Sequence, residues 1–222
     1  MLGIFTVDDA IDVMEEEVTE DVEKMAAIVP TDPGKTYLRT SVGSIWKSRI
    51  PWLLFLMLSS TFTGMIITGF ESALAVQTAL VAYIPMLMGT GGNSGSQASV
   101  TVIRGLSLDE IRFRDTAEVI WKEIRVAVLC GLALAVCCFA KIWFIDRLLL
   151  GNDEITLLVN LVVCLALFAT VVFSKFIGCV LPLLAEKIHV DPAVMASPII
   201  TTLVDAMALL VYFLIATAVL PM

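Results

Sequence analysis

The run from Ile155 to Leu184 carries a single charged residue, Lys175. A stretch that apolar leaves the backbone few choices. In hydrocarbon each N–H and C=O must be satisfied within the chain, so only a helix or a closed barrel can cross a bilayer. A spanning helix needs about 20 apolar residues. This run exceeds that length, so it is tilted or carries an extra turn outside the bilayer. Lys175 can snorkel to a headgroup if it lies near an end. Further apolar runs cover about Ile50–Gly69, Ala73–Gln97, Val126–Phe144 and Ala193–Leu220. The chain as a whole is 59% hydrophobic, where soluble domains sit nearer half. The expected fold class is an all-α membrane protein with five transmembrane helices.

Charge placement gives an orientation. Lys24, Lys35, Arg39, Lys47, Arg49, Arg104, Arg112, Arg114, Lys122, Arg125 and Lys187 fall on one side of such spans, and Lys141 and Arg147 on the other. By the positive-inside rule the N-terminus is cytoplasmic and the C-terminus outside, with Trp46 and Trp52 as interface anchors. The formal net charge of −8 is uneven, because the acids crowd the beginning. No nucleic-acid partner is suggested. Cys130, Cys137, Cys138, Cys164 and Cys179 all lie in apolar segments without a C-x-x-C pair, and are read as small hydrophobes.

Before the first span, Val7, Ile11, Met14, Val18, Val22, Met25 and Val29 step by three or four, the stripe of an amphipathic helix. Thr6 or Asp8 would cap it. Its other faces carry Asp8, Asp9, Asp12, Glu15, Glu16, Glu17, Glu20, Asp21 and Glu23 against one base, Lys24. Such crowded carboxylates repel, and something cationic should offset them. A solvated face is one reading. A divalent-cation sensor is the other, since carboxylates three and four apart can share a hard cation. The residues alone leave both open. Pro30–Gly34 is a turn that ends the helix, which divides the chain into residues 1–30 and a pore domain, 31–222.

The segment Tyr83–Arg104 is unlike the other apolar runs. It is expected to break at Pro85 and then carries Gly89, Gly91, Gly92 and Gly95, interleaved with or followed by Asn93, Ser94, Ser96, Gln97, Ser99 and Thr101. Gly91 and Gly95 have the spacing of a close helix–helix contact. The amides and hydroxyls favour a water-lined pathway instead, with glycine carbonyls turned towards a solute.

In the last run, Asp205 lies between long apolar stretches, with Ser197, Thr201 and Thr202 one and two turns earlier and no basic residue in the helix to pair with it. A carboxylate at that depth is a functional-site hypothesis by default. Neutral oxygens around one carboxylate suit a hard cation, and Mg²⁺ keeps several of its waters. An inside-negative potential would draw in two charges with about 4.6 kcal/mol per 100 mV. Gly89-Thr90-Gly91 lacks the strand context of a dinucleotide site, His189 is a lone loop histidine, and no catalytic set marks an enzyme.

Pro85-Met-Leu-Met-Gly-Thr-Gly-Gly-Asn-Ser-Gly-Ser-Gln-Ala-Ser99, followed by Val102-Ile-Arg-Gly-Leu106, resembles the second-helix signature of the MgtE magnesium channels. Asp191-Pro-Ala193 and Asp205 are similar to that family's last loop and last helix. Gly3–Asp12 resembles the end of its CBS domain entering a connecting "plug" helix. The resemblance implies a homodimer with the pore on its two-fold axis, and a chain lacking the family's N domain and most of its CBS pair. It implies passive Mg²⁺ influx across the cell (inner) membrane, with Mn²⁺, Co²⁺ or Ni²⁺ as minor permeants. Asp205 would hold hydrated Mg²⁺, the carbonyls of Gly89 and Gly92 would face the ion, and Asn93 would support that turn. Asp191 would meet the plug helix through a cation, and Asp9, Asp12, Glu17, Glu20 and Asp21 would sense cytoplasmic Mg²⁺. Ser197 stands where the family often has asparagine. A cation-coupled carrier of divalent metals, using Asp205 as its coupling site, is the alternative that the residues alone leave open.

Overall fold

The structure, a computed structural model, describes residues 6–30, 36–195 and 197–220, together with the backbone but not the side chain of Ser197. The expected strand end before Thr6 and the turn residues 31–34 lie outside the described residues. Among the described residues there is no strand. The helices are α1 (Val7–Met25), α2 (Val42–Gly69), α3 (Glu71–Val76), α4 (Ile84–Ser107), α5 (Thr116–Lys141), α6 (Leu157–Lys187) and α7 (Ser197–Val219). A 3₁₀ turn, Thr78–Tyr83, leads into α4, and a π-helical segment, Ile142–Leu149, continues α5.

Four stretches are long and apolar enough to cross a membrane: Val42–Gly69, Phe113–Leu149, Leu157–Lys187 and Pro192–Val219. These are α2, α5 with its extensions, α6, and α7 with the preceding turn. The helix α4 is long enough but is diluted by glycine, hydroxyl and amide residues. Two boundaries differ from the sequence reading. The second apolar run, expected over 73–97, is divided into α3, a 3₁₀ turn and α4, and α4 continues through Arg104 to Ser107. The expected break at Pro85 is absent, because Pro85 sits in the first turn of α4. There its missing N–H would have had no partner within the helix anyway.

The centre of the bundle is α6, which packs against α4, α5 and α7. Its buried residues spread around the helix, from Val159 and Val163 to Cys179 and Leu183. Lys175 is buried at 5% exposure, not at a headgroup, in keeping with the rule that intramembrane cations face the bundle interior. By contrast α2 leans on α7 and buries only Ser48.

Glycines set the closest approaches. A Cβ on Gly178 of α6 would run into the carbonyl oxygen of Gly95 in α4. One on Gly95 would lie 2.8 Å from Ile200 Cγ2, and one on Gly91 2.7 Å from Thr170 Cγ2 and 2.9 Å from Val204 Cγ1. Gly91 and Gly95 are therefore packing residues at the α4–α6–α7 junction. At the other end, the Tyr212 hydroxyl donates to the Leu80 carbonyl at 3.0 Å, tying α7 to the turn before α4.

Gly178→Ala should destabilise the bundle by about 1–3 kcal/mol through overpacking against backbone that cannot yield. Gly64→Ala, whose methyl would meet nothing within 4 Å, should be neutral or slightly stabilising. Thermal unfolding in detergent checks the pair, and equal midpoints would contradict the close crossing.

Candidate functional site

Once Gly91 and Gly95 are turned into the bundle, the rotation of α4 is fixed. Residues on its opposite face must point out of the chain. Gly89, Asn93, Gln97, Val100 and Thr101 are exposed there. Asn93, Ser96, Gln97, Val100 and Thr101 line one shallow groove. The helix stays regular through all four glycines, so their carbonyls are not freed by an opened backbone as the sequence reading expected.

Gly92 lies at the edge of this face, against α7. A Cβ there would meet Thr201 Cγ2 at 3.0 Å and Asp205 Oδ1 at 3.8 Å. The smallness of Gly92 thus admits the Thr201 methyl, and the Asp205 carboxylate lies at ordinary contact distance beside it. No ion pair engages Asp205 among the described residues. Of the sequence-predicted pore set, Gly92 and Asp205 come together. Gly89 faces open space, and Asn93 lies on the exposed face one residue beyond Gly92.

The threonines are placed differently from the expectation of free hydroxyls along a path. Thr201 Oγ1 and Thr202 Oγ1 both donate to the Pro198 carbonyl, at 3.0 and 2.9 Å. Thr201 presents its methyl to Gly92. The side chain of Ser197 lies outside the described residues. Ser99 Oγ, read from sequence as one of the pathway hydroxyls, is instead buried with no hydrogen-bond partner, as is Thr170 Oγ1, which the sequence did not single out.

A second charged locus joins α1 to the loop before α7. The helix α1 starts at a capping box. Thr6 N–H donates to Asp9 Oδ2 at 2.9 Å, and Asp9 N–H donates to Thr6 Oγ1 at 3.2 Å. These Thr6 bonds lower the Asp9 pKa. Asp9 thus serves as a cap, and Asp12 and Glu17 are exposed. The other end of α1 is held by Val29 N–H, which donates to the Ser48 carbonyl at 2.9 Å. The chain leaves α6 through His189 in the left-handed region, φ 59°, with Val190 N–H donating to the Ala185 carbonyl. That turn brings Asp191 to α1.

Lys24 bridges the two elements. Its Nζ lies 2.6 Å from Glu20 Oε1 and 2.5 Å from Asp191 Oδ2. The other Asp191 oxygen, Oδ1, accepts from Ala193 N–H at 2.8 Å. Hydrogen bonds that Lys24 donates to Asp191 and Glu20 raise its pKa and hold it charged. Burial, then the charge of Asp191, raise the Asp21 pKa. The cation that offsets this part of the acidic face is an ammonium of the chain itself. Among the described residues, no group of three or more histidine, cysteine or acidic side chains is arranged to hold a metal. Lys24 was legible as the lone base one turn after Glu20, but its partner across the fold was not.

Comparison with known proteins agrees with these features. The MgtE family model, described as a divalent cation transporter, matches residues 84–215, from the start of α4 into α7. The magnesium transporter MgtE of Thermus thermophilus is 38% identical over 216 residues, covering 97% of this chain and 46% of that protein. The magnesium transporter MgtE of Bacillus subtilis is 37% identical over 220 residues, covering 98% and 46%. That of Enterococcus faecalis is 28% identical over 217 residues, covering 98% and 45%. The chain spans about half the length of these curated relatives. A helical bundle with a glycine-rich α4 against a carboxylate-bearing α7, matched over most of its length, belongs to the MgtE family of divalent cation transporters.

Proposed function

We propose that this chain forms the membrane part of a Mg²⁺ channel, with α4 as a fifth spanning helix and the pore between two copies. The observation that carries the reading is the pairing of Gly92 with Asp205, a carboxylate in the middle of an apolar helix with no ion-pair partner among the described residues. A carboxylate at that depth needs a cation or water. The exposed polar face of α4 starts next to it. Facing lipid, that face would be unfavourable; facing the same surface of a second copy, it would wall a hydrated path. Mg²⁺ suits such a path because it dehydrates reluctantly and binds through few carboxylates. The relatives are magnesium transporters by name, which supports the same cargo. Mn²⁺, Co²⁺ and Ni²⁺ are proposed as minor permeants.

In this reading the N-terminus is cytoplasmic, the C-terminus is outside, and flow is passive. The acidic α1 closes the cytoplasmic mouth through Asp191. Bound Mg²⁺ between the acids of α1 and the mouth would favour the closed state by differential binding. Glu20 and Asp191, which share Lys24, and Asp21 near them support this reading; Asp9 is engaged in its cap.

Mg²⁺ influx into liposomes should be lost in Asp205→Asn and kept in the wild type; equal flux would remove Asp205 from the mechanism. Neutralising Glu17, Glu20 and Asp21 together should shift Mg²⁺ inhibition of a full-length version to higher concentration, as read from its dose–response. An unchanged curve would contradict the sensor role.

A further inference from the structure

Apolar contact does little to hold α1 on the bundle. The helix buries none of its residues, and Val18 and Val22 of its apolar stripe are each 56% exposed. With Met25 they line a crevice of about 160 Å³ whose other wall includes Val100 and Ile103 of α4. Alone, α1 would be a poor helix. Asp8 and Asp12, Glu16 and Glu20, and Glu17 and Asp21 stand four apart, where like charges destabilise a helix. Helices in proteins draw most of their stability from tertiary contact.

The contacts that do hold its last turns are polar. Val29 N–H donates to the Ser48 carbonyl at 2.9 Å. Lys24 Nζ lies 2.6 Å from Glu20 Oε1 on its own helix and 2.5 Å from Asp191 Oδ2 across the fold. An ammonium has three donors, so one lysine serves both carboxylates. Ala193 N–H donates to Asp191 Oδ1, which fixes the carboxylate that Lys24 meets. The Lys24 side chain is only 21% exposed in this contact.

We propose that Lys24 is a built-in counter-cation, which docks α1 on Asp191 without metal and so sets how much of the closure is left to Mg²⁺. The gating part of this rests on the reading of α1 as the element that closes the cytoplasmic mouth. With Lys24 in place, Glu20 and Asp191 already share a positive charge, and a divalent ion arriving there meets like charge. Without it, Glu20 and Asp191, with Asp21 near them, repel until another cation takes the place of the ammonium. Mg²⁺, a hard cation that binds through carboxylate oxygens and its own waters, suits that exchange. The wild-type chain keeps α1 docked in the absence of Mg²⁺, and a chain without Lys24 docks it only as Mg²⁺ rises.

The test is hydrogen exchange of the α1 amides in the full chain in detergent, first with EDTA and then with excess MgCl₂, since amide protection reports local opening. In EDTA, Lys24→Gln and Asp191→Asn should each exchange about fivefold faster than wild type, the upper end for one partly exposed ion pair. The double variant should be no faster than either. Added Mg²⁺ should return Lys24→Gln to the wild-type rate and leave Asp191→Asn fast. The α6 amides, unchanged throughout, show that the bundle stays folded. Equal α1 exchange in wild type and Lys24→Gln in EDTA would overturn the tether. A difference that Mg²⁺ does not remove would make Lys24 a structural contact only and overturn its part in the Mg²⁺ response. The EDTA arm involves neither Mg²⁺ nor flux, so it is independent of the channel reading, which Asp205→Asn tests.

Discussion

The backbone contact between Gly95 and Gly178 fixes most of what matters in this protein. Where a Cβ would strike a carbonyl oxygen, two helices touch through their main chains. Between apolar helices in lipid there is little hydrophobic drive to associate, and close approach supplies the attraction. Once α4 is pressed onto α6 through Gly95 and onto Val204 of α7 through Gly91, its rotation is set. Gly92 then meets Asp205, and Asn93 and Gln97 are left on the outside. One residue type thus has two uses along a single helix. Gly91 and Gly95 admit neighbouring helices, while Gly92 admits the Thr201 methyl next to Asp205.

Electrostatics organises the junction between α1 and the bundle. An acidic helix would be repelled from Asp191, and burial of Asp21 there is resisted by both desolvation and Asp191. Lys24 reverses the sign locally by bonding to Glu20 and Asp191 together. The contact is an ammonium bridge between partly exposed groups, and such pairs are individually weak. A helix held in this way adds little to the stability of the bundle it rests on.

Much of the architecture was legible because the bilayer restricts the options. Long apolar runs had to be helices, and α2, α5, α6 and α7 cover them, with α2 and α5 beginning about two to three turns earlier, at Val42 and Thr116. The segment around α4 was harder. A proline and four glycines read as a broken helix, yet Pro85 fell in the first turn, where it is harmless, and burial of Gly91 and Gly95 against α6 and α7 keeps the rest regular. The threonines of α7 read as path-lining hydroxyls, but a helix offers each a carbonyl of its own, and Thr201 and Thr202 take that of Pro198. Lys175 read as a snorkelling residue because hydropathy records depth along a helix, not which side faces a neighbour.

By itself the sequence determined the helical class and the apolar spans, and it drew attention to Asp205 and the glycine-rich segment. Those follow from composition along one dimension, where the demand for internal hydrogen bonds and the unfavourable burial of charge already decide. Only the tertiary structure decided which neighbour each glycine of α4 meets, and that Lys24 bridges to Asp191. These pairings join residues far apart in the chain. They depend on the rotation of one helix against another, which steric contact sets and local periodicity does not encode.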